Sequence, residues 1–305
     1  VIYQTFPDRF RNGNPANDPV DGTLVYEPAP DGCAGYPHPR PNPGGGCQWD
    51  RRAWTDPLLI PSWGLDFHGV DLQGISDQIN AGYFNDLGVN TLYLNPIFES
   101  SSNHGYDSND YFNVRAIFGN NSLFDQLITA ANAKGLRVIL DGVFNHTGDD
   151  SLYFNRYGRY DSVGAYQSPD SPYAGWFTFE RFPDKYKCWW GVDTLPEVNK
   201  DNEDYRRFIL AEDGVARRWM RAGTAGWRLD VADELPMRFL RDLRTAVRTQ
   251  DAQAALLGEV WEDASNKVSY GAQRCHCLGD TLDSVMNYPL RKAAIGFVTG
   301  TLDAY

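Results

Sequence analysis

The chain has 305 residues, 42% of them hydrophobic, enough to bury a large core and to exclude global disorder. A net charge of −12 without clustered Lys and Arg argues against a nucleic-acid partner, and no apolar run approaches the roughly 20 residues that span a bilayer. Acidity with 14% aromatics, including 9 Trp and 17 Tyr, is compatible with a neutral carbohydrate.

In chain order, Ile2–Phe6 reads as a first strand. The Gly- and Pro-rich stretch from Asp21 to Pro61 reads as irregular, and Ile75–Leu87 as a helix ended by Gly88. Thr91–Leu94 is a second strand and Leu123–Lys134 a helix closed by Gly135. Arg137–Phe144 is a third strand, almost continuously apolar as for a strand buried on both faces. From Thr147 to Asn199 periodicity dissolves into Tyr, Phe, Trp, Gly, Pro and Asp, a length that reads as a small inserted subdomain. The pattern resumes with helix Tyr205–Arg221, strand Gly226–Val231, helix Pro236–Arg248, strand Ala255–Trp261, strand Ser284–Tyr288 and helix Leu290–Val298. Alternating strands and amphipathic helices signal βαβ units and a parallel sheet. The expectation is an α/β fold, a TIM (β/α)8 barrel represented by strands one to six. Residues 1–146 carry its first part, 147–199 the insertion and 200–305 its continuation, truncated before strand seven.

Five cysteines form no regular disulfide framework. Cys33 and Cys47 share one loop and are near enough in sequence to pair, but free thiols are the expected state. Cys275-His276-Cys277 lacks the second ligand pair that zinc requires.

Active sites of such barrels lie at the C-terminal ends of the strands. Strand three ends Asp141-Gly-Val-Phe-Asn145-His146, strand four Gly226-Trp-Arg228-Leu-Asp230-Val-Ala-Asp233-Glu234, and strand five Gly258-Glu259-Val-Trp261-Glu262-Asp263. Two carboxylates on adjacent strands suit glycoside hydrolysis, which needs a raised-pKa acid beside an ionised partner. Arg228, two residues before Asp230, shares its side of the strand and is expected to keep it ionised. The alternative is a set of rim ion pairs, less expected for three strand ends in register.

These three strand ends resemble signature regions of the α-amylase superfamily, glycoside hydrolase family 13. Gly88-Val-Asn-Thr-Leu-Tyr-Leu-Asn-Pro96 resembles its second-strand region. Leu195-Pro-Glu-Val-Asn199 is similar to the motif that closes its inserted domain, in the form of the neopullulanase, cyclomaltodextrinase and maltogenic-amylase branch. The resemblance implies retaining hydrolysis of α-1,4 glucosidic bonds, and admits α-1,6 bonds, in maltooligosaccharides, pullulan, cyclodextrins or starch. It also allows transglycosylation on the same substrates, a non-catalytic glucan-binding relative, and a homodimer of the full-length protein. It makes Asp230 the nucleophile and Glu259 the acid/base, with Arg228 orienting Asp230 and Asp141 buttressing its strand end. His146 would donate to the sugar at the cleavage site. Tyr106, in Asn103-His104-Gly-Tyr106-Asp107, would stack on the ring beside it, with Asn103 in contact. Trp261 would stack on the acceptor side, which Asp233 and Glu234 line. Glu262 departs from the His usual at that position.

Arg11-Asn12-Gly-Asn14-Pro-Ala-Asn17-Asp18 supplies four short oxygen side chains in seven residues. Composition alone favours an ordinary turn. The resemblance instead implies a Ca²⁺ held by Asn12, Asn14, Asn17 and Asp18 with Gly69 and Asp71. The family also uses a third carboxylate, an Asp following a His at the end of strand seven. The five histidines here precede Pro39, Gly69, Gly105, Thr147 and Cys277. The expectation is therefore that these residues belong to a longer polypeptide that completes the barrel and adds a β-sandwich, and that alone they are inactive and aggregation-prone.

Overall fold

A computed structural model describes residues 1–19, 66–269 and 271–301, with short pieces between 25 and 56. Most of the Asp21–Pro61 stretch, with Cys33 and the Cys47 side chain, lies outside the described residues; Cys188, Cys275 and Cys277 are free thiols.

The wall of the fold is a parallel sheet whose strands follow chain order. Among the described residues these are Ile2–Thr5, Thr91–Leu94, Arg137–Gly142, Gly226–Leu229, Ala255–Gly258 and Ser284–Val285. A sheet in which each strand pairs with the next, with helices on its outer face, is the arc of a (β/α)-barrel. Side chains alternate across it. Leu92, Leu94, Val138, Leu140, Trp227, Leu229 and Leu256 point outward into the large core shared with the helices. Tyr93, Ile139, Ala225 and Leu257 form a small inner cluster. Just above this inner layer the same period brings Asp141 and Arg228 into register, with Arg228 opposite Leu257.

Helices α1 (Leu72–Ala81), α2 (Tyr83–Asp86), α3 (Asn121–Ala133), α4 (Glu203–Leu210), α5 (Val215–Arg221), α6 (Met237–Arg248) and α7 (Tyr288–Val298) pack outside. Two expected helices are each two. The first breaks at Gly82, which takes a left-handed φ of 83° and caps α1; this overrides the apolar period running on to Leu87. The other breaks at residues 211–214, where α4 closes and Gly214 opens α5. Expected strands also stop early: the third at Gly142, the fourth at Leu229, the fifth at Gly258 and the sixth at Val285. Beyond these points the chain leaves the ladder.

Residues 147–199 contain little regular structure. The antiparallel pair Phe179–Arg181 and Lys185–Tyr186 and short 3₁₀ turns sit in a cluster of rings. Tyr153 and Trp176 stack at 5.3 Å, and Trp176 meets Tyr205 and Phe208 of α4 at 5.1 and 4.9 Å. The apolar interior of this segment is therefore continuous with the barrel core.

Candidate active site

The fourth strand ends abruptly. After Leu229 the chain passes through Asp230 and enters a left-handed turn at Val231, φ 38° and ψ 50°. A β-branched residue is strained there, at a cost of about 1–3 kcal/mol. The turn aims the Val231 N–H at Glu259 Oε2, 3.0 Å away. Asp230 and Glu259 are themselves tied to neighbouring strands: Asp230 N–H donates to Gly142 O at 3.2 Å, and Glu259 N–H to Leu229 O at 3.0 Å.

One guanidinium joins the acidic groups. Arg228 Nη1 donates to Asp141 Oδ1 at 2.8 Å and to Asp230 Oδ1 at 3.1 Å, while Nη2 lies 2.8 Å from Glu259 Oε1. Asp141 Oδ2 also accepts from the hydroxyls of Tyr93 and, at 3.0 Å, Tyr106. Asn95 donates to the Tyr106 oxygen at 3.1 Å and is held by Gln4 at 2.8 Å. Glu259 Oε1 accepts from the Tyr288 hydroxyl at 3.0 Å.

Arg228, expected to keep Asp230 ionised, is shared with Asp141 and Glu259. Burial pushes the Asp230 carboxyl well up; Arg228 opposes this, and Asp141 and Glu259 add repulsion. Burial also raises Glu259, but Arg228, the Val231 N–H, Trp261 and Tyr288 outweigh it and bring that carboxyl below its ordinary range. The physical reason is sharing: a single cation serves three carboxylates, and Glu259 has more hydrogen-bond donors. His146 lies 4.0 Å from Asp230 Oδ2, but burial pulls its pKa to about 4, so the ring is neutral at pH 7 and forms no ion pair.

Above this cluster opens a cleft of about 640 Å³, lined by Asn103, Tyr106, His146, Asp230, Glu259 and Trp261 among others. Asp141 and Arg228 lie beneath it as buried supports. Asp233 and Glu234 line an adjoining pocket of about 310 Å³, which shares Val231, Glu259 and Trp261 with the cleft. Asp233 there pairs with Lys267 at 2.7 Å and meets His276 Nε2 at 3.2 Å; Glu262 also pairs with Lys267.

Several residues here carried no sequence signal. Trp189 lines the cleft and packs 5.7 Å from His146. Trp190 is 71% exposed, in a left-handed conformation (φ 51°), its Nε1 donating to Glu234 at 3.2 Å. Its ring stands at 72° to Trp261, 5.4 Å between centroids, so the two make an aromatic corner beside Glu259. The Trp-Trp pair in an otherwise irregular segment was the one available hint.

The Asn12–Asp18 loop packs on the start of α1 so tightly that a Cβ at Gly13 or Gly74 would strike backbone atoms. Asn12 donates to Asp18 at 2.6 Å, and Asp18 lies against Gly69. The Oδ1 atoms of Asn12 and Asn17 are buried without a hydrogen-bond partner among the described residues. Asn14 caps a 3₁₀ turn. Asp71 caps α1, and its two oxygens accept from the N–H groups of Gly13, Asn14 and Gly74.

The family profile described as "Alpha amylase, catalytic domain" matches residues 4–303. An amylopullulanase of Thermoanaerobacterium saccharolyticum is 38% identical over 98% of this chain and 24% of its own length. Neopullulanase 2 of Thermoactinomyces vulgaris is 34% identical over 100% of this chain and 44% of its own. The solved cyclic α-maltosyl-(1→6)-maltose hydrolase of Arthrobacter globiformis shares 32% identity at a TM-score of 0.75, over 100% of this chain and 58% of that one. The chain thus spans less than half the length of these two curated relatives. On this match, and on a six-strand arc with its acidic cluster at the strand ends, the chain belongs to the α-amylase catalytic-domain family.

Proposed function

We propose that the complete protein hydrolyses α-1,4 and α-1,6 glucosidic bonds in α-glucans, including maltooligosaccharides, pullulan, cyclodextrins and starch, with retention of configuration. The observation that carries this reading is the pair Asp230 and Glu259, bound to the two ends of one guanidinium at the floor of a cleft. Asp230 attacks the anomeric carbon and Glu259 protonates the departing oxygen. Water, deprotonated by Glu259, then releases the sugar from Asp230, and two inversions restore the α configuration. Attack requires the carboxylate form of Asp230 and the acid form of Glu259. A sugar that excludes water around Glu259 raises that carboxyl and favours its acid form. Arg228 then serves the Asp230 carboxylate.

Transglycosylation uses the same glucosyl-enzyme, with a sugar in place of water. The Trp190–Trp261 corner favours it as a second activity, because two ring faces beside Glu259 suit an acceptor glucose. A non-catalytic glucan-binding role is disfavoured by the presence of both carboxylates.

For the Asn12–Asp18 loop we propose a Ca²⁺ held by Asn12, Asn17, Asp18 and the Gly69 carbonyl. The buried, partnerless Asn12 and Asn17 oxygens fit a hard cation. Asn14 and Asp71 shape the loop through the backbone bonds above. The ion's contribution would be to order this loop against α1.

The product profile of the complete protein on pullulan, maltotetraose and a cyclodextrin tests the reading. Panose, maltose or linear oligomers, released as α-anomers, are expected. Release of β-anomers, or no hydrolysis of any of the three, contradicts it.

A further inference from the structure

A lysine is almost sealed where residues 147–199 rejoin the barrel. Lys200 is 8% exposed; its ammonium donates to Glu197 Oε1 at 2.6 Å and to Asn145 Oδ1 at 2.8 Å. Lys187 reaches the same Glu197 oxygen at 2.9 Å from the exposed side. Backbone bonds fix the frame around them. Val198 N–H donates to Asn145 O at 3.0 Å, Thr147 N–H to Pro196 O at 3.1 Å, and His146 bridges Glu197. A buried ammonium is destabilising unless it is paired, so its two partners here are held firmly.

The consequence runs through Asn145. With Oδ1 taken by the ammonium, its amide presents Nδ2 to His146 Nδ1, 3.3 Å away. A ring nitrogen that accepts carries no proton, so the neutral imidazole holds its proton on Nε2. Nε2 accordingly donates to Tyr106 O at 3.1 Å, and it is the nitrogen 4.0 Å from Asp230 Oδ2. Without Lys200 the Asn145 amide can turn by half a rotation and offer its oxygen to Nδ1. The Nδ1–H tautomer would then compete, at the cost of the Nε2–H bond to Tyr106 O, and would turn a lone pair toward Asp230.

We propose that Lys200 is a positioning residue for the carboxylate pair: acting through Asn145, it joins the Tyr106 carbonyl in holding His146 as the Nε2–H tautomer on the side of Asp230. This rests on the reading of Asp230 and Glu259 as the reacting pair. In the one-way chain Lys200, Asn145, His146, the effect of the first residue exists only while the last is present.

The test is a double-mutant cycle in the full-length protein with maltotetraose as substrate. Lys200→Met is expected to lower kcat by about 10–100-fold with little change in KM, the scale of a misplaced polar group. In a His146→Ala background the same change is expected to lower kcat less than about twofold. Equal losses in both backgrounds, or no loss in the first, overturn the proposal. Should Lys200→Met not fold, Asn145→Asp replaces it, since it keeps an oxygen for the ammonium but offers Nδ1 only acceptors. A His146-dependent loss is again expected, and an unchanged kcat overturns the proposal. Asp230→Ala is measured alongside; its retention of activity would remove the reading of the pair, while the coupling between Lys200 and His146 is read separately.

Discussion

In the barrel wall the backbone decides where each strand tip points, whereas in residues 147–199 side chains do. Asp141 and Arg228 face each other because their strands pair in parallel register, and Glu259 follows a strand paired to that of Asp230. The inserted segment has few ladders. Asn155, itself left-handed at φ 50°, donates to Tyr160 O at 3.0 Å and Ser162 O at 2.8 Å, and Arg156 joins Asp149 to Asp193. The wall supplies the carboxylates, and the groups that trim their surroundings come from the insertion, Trp189 and Trp190, and from Lys200 just after its close. Changes in the wall should therefore stop the chemistry, and changes in the insertion should redirect or weaken it.

The largest expected effect is in the wall. Asp230→Ala and Glu259→Gln should each lower kcat at least about a thousandfold with folding retained, measured on the complete protein with maltotetraose. Retention of more than about a tenth of the activity would contradict the assigned roles. Tyr288→Phe comes next, at about tenfold in kcat. Its hydroxyl helps hold Glu259 below the ordinary range, so its removal should raise that pKa. The alkaline limb of the kcat profile, where the acid of the substrate complex loses its proton, should then move to higher pH; a limb that moves down or stays would count against the contact.

In the insertion, Trp190→Ala should cut the ratio of transfer to hydrolysis several-fold while leaving cleavage of an aryl α-maltoside, which places no sugar on the acceptor side, near the parent rate. Equal losses on both substrates would instead mean that Trp190 supports the cleft as a whole. Chelation of the complete protein should lower Tm by a few degrees with little change in kcat at 25 °C, because Asn12, Asn17 and Asp18 are not among the residues that line the cleft. An unchanged melting curve would remove the proposed ion.

The smallest effect concerns Asp233. Burial raises its carboxyl, but His276, Lys267 and Arg274 outweigh it and hold it well below the usual range. A depressed carboxylate adds stability that is complete above the unfolded value near 4 and is lost as pH falls through the lower folded value. Asp233→Asn should therefore lower stability at pH 7 and flatten its decline below about pH 4, seen in denaturant midpoints against pH.

Much of the wall was legible in the sequence because its strands are short apolar runs between amphipathic helices, and because acidic residues followed three of those runs. The strand ends were not. Readings that carried the strands to Phe144, Val231, Trp261 and Tyr288 missed that functional tips curl out of the ladder, as the left-handed Val231 does. Gly82 and Gly214 break helices whose apolar period continues across them. Contacts between residues far apart in the chain were also invisible: Tyr93 on Asp141, Tyr288 on Glu259, and Lys200 on Asn145. Each is an ordinary polar residue until the fold brings its partner. The sharing of Arg228 among three carboxylates was hidden for the same reason.

The most direct test of the account is to trap the intermediate. The complete protein is incubated with a fluorinated α-glucosyl fluoride, whose glucosyl-enzyme forms faster than it hydrolyses, then digested and sequenced by mass spectrometry. The account predicts one glucosyl adduct, on the carboxylate of Asp230. An adduct on Glu259, or turnover of the fluoride with inversion and no adduct, would contradict it.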